Sequence, residues 1–117
     1  MANSKIQNNM ILSRNKTILS WGTYASSTSS TKTEITLSSP ILQGSLLELS
    51  FGTDGRYRYM VSAPRNYSAS DAEYNDFVLS PSETTTTRIY WRSNNTLAIQ
   101  SHTSDASYAL RMITMFV

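Results

Sequence analysis

Apolar and polar residues alternate with a period of two through most of this 117-residue chain, and no stretch of helical length keeps an apolar stripe at i, i+3 and i+4. Strand side chains point alternately to opposite faces, so the pattern predicts half-buried strands and little helix. Thr17-Ile18-Leu19-Ser20-Trp21-Gly22 reads as a first strand, β-branched, aromatic and closed by glycine. Ile35 and Leu37 alternate with Thr36 and Ser38. After Pro40, Leu47, Leu49 and Phe51 alternate with Leu46, Glu48 and Ser50. Gly52-Thr53-Asp54-Gly55 supplies a tight reversal, beyond which Tyr57, Tyr59 and Val61 face opposite to Arg56, Arg58 and Met60, completing a hairpin. An irregular loop from Pro64 to Asp76 returns through Phe77-Val78-Leu79. Thr84 to Thr87 lead into a strand with Ile89 and Trp91 on one side and Arg88, Tyr90 and Arg92 on the other. Ser93-Asn94-Asn95 turns the chain into Thr96-Leu97-Ala98-Ile99-Gln100. The last strand, within Ser107 to Val117, carries Leu110, Met112 and Phe116 against Ile113, Met115 and Val117, so both faces are apolar and both want cover.

About eight short strands at this spacing predict an all-β, antiparallel β-sandwich over residues 17–117, with a small β-barrel as the alternative and residues 1–16 as a polar lead-in or linker. Composition narrows the function classes. The chain holds 20 Ser and 14 Thr but only 15% charged residues, and 39% apolar content is too high for generic disorder. The tract from Thr23 to Thr33 reads as a loop or a solvent-facing edge. A net charge of +2 with no basic run argues against a nucleic-acid partner. No stretch approaches the roughly 18 apolar residues of a membrane span, so no membrane insertion is expected. The absence of cysteine removes disulfides, thiolate nucleophiles and Cys-based metal sites.

Catalytic and metal motifs are weak. His102, with Asp105 three residues on, lacks the elbow-held serine and oxyanion hole of a nucleophilic triad. Glu34 and Glu48 fall on outward strand positions and Asp71, Glu73 and Asp76 share a loop, which does not make the paired carboxylates of a glycosidase. That acidic loop offers oxygen ligands but lacks the glycine and closing glutamate of a calcium-binding helix-loop-helix. No catalytic residue, metal or cofactor is therefore expected. The sequons at Asn15, Asn66 and Asn94 follow from the Ser/Thr content.

Surface recognition is the better prospect. Arg56, Arg58, Arg88, Tyr90 and Arg92 all fall opposite the expected core, and seven of the ten cations are Arg. Guanidinium forks hold carboxylates or phosphates while aromatic rings pack on ligand faces at low entropic cost. For these hairpin residues a purely structural use is the favoured reading, with Arg56 or Arg58 pairing with Glu48 across the hairpin and Tyr90 shielding a neighbouring strand. Tyr67 and Tyr74, loop aromatics outside any core period, complete a candidate ligand-binding set of Arg58, Tyr67, Tyr74, Tyr90 and Arg92.

The order of phrases from Ile18-Leu19-Ser20-Trp21-Gly22-Thr23 through Leu46-Leu47-Glu48-Leu49-Ser50-Phe51-Gly52-Thr53-Asp54-Gly55 and Asn94-Asn95-Thr96-Leu97-Ala98-Ile99 to Ile113-Thr114-Met115-Phe116-Val117 resembles the C-terminal β-sandwich domains of tailed-phage and prophage tail fibres and tailspikes. The resemblance covers about residues 17–117. It implies a non-enzymatic module at the tip of a virion tail, a homotrimer, and attachment to a host cell-surface glycan or outer-membrane protein. It carries no binding residue over by position. A last strand with two apolar faces suits such a trimer, one face packing on its own subunit and the other on a neighbour. A structural virion component, such as a baseplate or decoration protein with no receptor role, is the alternative.

Overall fold

A computed structural model describes residues 15–26, 31–69, 76–82, 85–101 and 109–117. They form eight strands: β1 (Lys16–Leu19), β2 (Thr33–Thr36), β3 (Leu46–Phe51), β4 (Tyr57–Ser62), β5 (Asp76–Ser82), β6 (Thr85–Trp91), β7 (Thr96–Ser101) and β8 (Leu110–Phe116). Among the described residues there is no helix. The strands make two antiparallel sheets, β1-β8-β3-β4 and β2-β7-β6-β5, and neither closes on itself. The chain is thus a β-sandwich and not the alternative barrel.

Alternation dictates which side chains meet between the sheets. Leu47, Leu49 and Phe51 of β3, with Ile113 and Met115 of β8, pack against Ile89 and Trp91 of β6 and Leu97 and Ile99 of β7 in one cluster. Each such burial contributes about 1.5–3 kcal/mol. The β3–β4 hairpin turns where the sequence predicts it. Gly52 and Gly55 take positive φ, and Asp54 accepts from the Arg56 backbone N–H and, at 2.9 and 3.1 Å, from its guanidinium. That hydrogen bonding by Arg56 holds the Asp54 carboxyl below its ordinary range. Arg56 is therefore engaged by its own turn and does not join a recognition face.

One expectation is corrected and one is narrowed. Strict alternation places Leu110 with Met112 and Phe116, but the β3–β8 register slips between Ser50 and Phe51: Ser50 pairs with Met112 and Phe51 with Leu110. Arg111 is the extra residue of this bulge, and the parity change turns Leu110 into the core beside Ile113. Within the Ser/Thr tract, Ser26 is buried, accepting from Ser101 N–H at 2.8 Å and donating to the Ser101 carbonyl at 3.4 Å. It ties the chain after β1 to the end of β7 in the other sheet, and is not a solvent-facing residue.

Candidate functional site

The two outer faces differ sharply, and they separate the candidate residues. Arg58 lies on β4 in one sheet, while Tyr90 and Arg92 lie on and just after β6 in the other. Outward positions on facing sheets point to opposite sides of a sandwich. The five Arg and Tyr side chains expected opposite the core therefore do not make one surface.

On the β2-β7-β6-β5 sheet, Tyr90 points outward but is only 6% exposed. Its register partner Ala98 is small and leaves room for the ring against the sheet. Three cations crowd it, with Lys32 Nζ 5.2 Å, Arg92 Cζ 5.7 Å and Arg88 Cζ 5.9 Å from the ring centroid. The Tyr90 hydroxyl donates to Gln100 Oε1 at 2.8 Å. Arg92 Nε lies 3.3 Å from Glu34 Oε1, and Arg92 Nη1 donates to the Ala69 carbonyl at 3.2 Å. Asp76 stands opposite Tyr90 in the register. Tyr90 is consequently no free stacking platform. It shields its neighbours, and the face presents charge rather than an aromatic surface.

Tyr67 packs against the core cluster beside the end of β6, where Ser68 N–H donates to the Trp91 carbonyl. Its ring covers the core edge instead of standing ready for a ligand. Burial raises the phenol's pKa above 10. The native chain then holds that proton more tightly than the unfolded chain does, so its contribution to stability is present below pH 10 and is lost as pH rises through the folded value. Tyr67→Phe is expected to flatten the alkaline end of the stability profile, measured by urea unfolding between pH 9 and about 11.5; an unchanged slope would remove Tyr67 as its source. Tyr74, His102 and Asp105, and the loop carboxylates Asp71 and Glu73, lie outside the described residues. Among the described residues no three His, Asp or Glu side chains converge as metal ligands.

The outer face of the β1-β8-β3-β4 sheet mixes apolar side chains with hydroxyls and one ion pair. The register aligns Leu46 with Phe116 and Ser62, then Glu48 with Met60 and Thr114, then Ser50 with Arg58 and Met112. Met60 is 53% and Leu46 45% exposed, while Met112 and Phe116 are half-buried. The only opposed charges on these rows, Glu48 and Arg58, lie 3.8 Å apart, as the structural use of the hairpin charges requires. A cleft of about 250 Å³ borders the Leu46 end, between Gln43–Leu46 and Ser62, Ala63 and Arg65.

At the hairpin end of the same sheet sits a cluster that the sequence reading did not single out. Trp21, counted there as the last apolar residue of a first strand, lies beyond β1 and is 49% exposed. Gly22 N–H donates to the Arg111 carbonyl at 2.9 Å, which fixes the Trp21 segment beside the bulge. The Arg111 guanidinium carbon stacks 4.5 Å from the Trp21 ring centroid. Gly55 lies directly against the ring: a Cβ there would fall 2.8 Å from Trp21 Cζ3 and 3.6 Å from Ser50 Cβ. Ser50 is 1% exposed, and both its Oγ and Arg111 Nε are buried with no hydrogen-bond partner. Leaving such donors unmade costs about 1–3 kcal/mol each. The sequence shows a Trp-Gly pair there, but nothing local links it to Gly55 or Arg111. Comparison with protein-family models, with curated proteins and with solved structures returns no match.

Proposed function

We propose that this chain is a non-enzymatic tip module of a phage tail fibre or tailspike, which forms a homotrimer through the outer face of the β1-β8-β3-β4 sheet and contacts a host-surface glycan or protein on the virion's behalf. The observation that carries the reading is the contrast between the two outer faces. One bears Leu46, Met60, Met112 and Phe116 around an internally balanced Glu48–Arg58 pair. The other gathers Lys32, Arg88 and Arg92 around Tyr90. An exposed apolar sheet face is where a monomer seeks a partner, and a charge-balanced one meets its own copy without repulsion. The last strand lies in the middle of that face, with its second apolar side at Met112 and Phe116, as a subunit contact requires.

Light scattering tests assembly. The purified chain is expected at three times its 13.1 kDa mass, and Leu46→Glu with Met60→Glu at one third of that particle with unchanged β-sheet circular dichroism. A monomeric wild type at micromolar concentration would overturn the proposal. Binding to intact bacteria tests attachment. A trimer that binds no surface glycan or outer-membrane protein, with Tyr74→Ala likewise without effect, favours the structural virion component, whose assembly face is the same.

A further inference from the structure

We infer that Trp21, Arg111 and Ser50 form a binding site for a carboxylate-bearing pyranose, such as a uronic acid. The inference deepens the receptor-binding reading and rests on it only for where the sugar comes from. Three features meet at one place. Trp21 keeps half its surface exposed although the sheet beside it offers an apolar face, and its ring is a flat surface of the size of a pyranose. Arg111 has no acidic partner among the described residues, and its guanidinium is spent on stacking against Trp21. Ser50 Oγ and Arg111 Nε are two buried donors without acceptors, on residues at the bulge where the Ser50–Met112 pair gives way to Phe51–Leu110.

One ligand chemistry answers all three. A carboxylate supplies acceptors for the planar guanidinium and the hydroxyl, and charge-assisted bonds of this kind are the strong ones. The sugar ring then lies on Trp21. Reaching the two buried donors requires the Trp21 side chain to shift away from Gly55, while the Gly22 N–H bond to the Arg111 carbonyl holds the segment beside them. Neutral sugars offer these donors only uncharged hydroxyl and ring oxygens, without the charge-assisted, two-pronged pairing of a carboxylate, and a bare oxyanion leaves the ring uncovered. The cluster sits at the hairpin end of the sheet, one residue row from the Arg58 and Met112 edge of the proposed subunit contact, with the Leu46 and Phe116 end farther off.

Trp91 is buried in the core, so Trp21 dominates any ligand-dependent change in tryptophan emission. Titration with galacturonate oligomers is expected to give a saturable emission shift, with galactose oligomers, methyl-esterified galacturonate and inorganic phosphate giving none. Arg111→Lys is expected to weaken binding about tenfold, as loss of the guanidinium fork should, and Trp21→Phe to weaken it less than Trp21→Ala. Light scattering on the same samples separates this claim from the assembly claim. Equal binding of ester and acid, competition by phosphate alone, or a Trp21→Ala variant that changes oligomeric state with no effect on sugar binding would each overturn the site, whatever the trimer result.

Discussion

Phe51→Ala is expected to lower the stability of the folded chain by about 3–5 kcal/mol, the usual range for truncating a fully buried phenylalanine. Phe51 is fully buried at the end of β3, and its ring meets Tyr59 edge-on at 5.9 Å between centroids and 74° between planes. Such an aromatic pair adds about 0.5–1.5 kcal/mol to area burial. Against a total of about 5–15 kcal/mol, the variant sits near the edge of folding. Urea unfolding at one fixed protein concentration should show a lowered midpoint with an unchanged slope; holding concentration fixed matters because association adds its own stabilisation. A loss below about 1 kcal/mol would mean that the β3 alternation does not put Phe51 in the core, since no buried ring of this kind is so cheaply removed.

Gly55→Ala carries the second large effect. Gly55 has φ +72°, a region that costs an L-residue about 1–2 kcal/mol, and the new methyl would stand 2.8 Å from Trp21 Cζ3 and 3.1 Å from Cη2. Gly44 provides the control. Its φ is +84° with nothing within 4 Å, so Gly44→Ala reports the backbone alone. The Gly55 variant should lose more stability than the Gly44 variant, and only the Gly55 variant should shift tryptophan emission to longer wavelength as Trp21 leaves the turn. Equal losses with unchanged emission would show that the ring does not rest on Gly55.

Strand identity was legible because it is local: period-2 alternation at Leu46–Phe51, Ile89–Trp91 and Leu97–Ile99 put the right residues inside, and the Gly52–Gly55 reversal marked its hairpin. What alternation cannot carry is pairing between distant segments. Leu110 was assigned the wrong side because the bulge at Arg111 is set by β8 adjusting to β3, some sixty residues earlier in the chain. Arg58 and Arg92 looked like companions because both point away from a core, but which hairpin enters which sheet is decided by β1 and β3 flanking β8 and by β2 flanking β7. Tyr90 shows a third limit. Its outward direction was readable, whereas its cover by Lys32, Arg88 and Arg92 depends on a cross-strand Ala98 and on a segment preceding β2. The Trp21 cluster draws on residues 21, 50, 55 and 111, a set that no contiguous motif contains.

The antiparallel pairing of Lys16 with Met115 brings the start of β1 and the finish of β8 side by side at one end of the sandwich. Tension applied across those two points peels the ladder open one hydrogen bond at a time, the weakest way to load a pair of strands. A pull delivered through β1 alone, with resistance at the Gly52–Gly55 tip, is instead shared along the sheet and loads the β1–β8 bonds together in shear. A sandwich wired in this way yields easily when Lys16 and Met115 are drawn apart, yet resists when the load runs from β1 to the Gly52–Gly55 turn at the other end of the sheet.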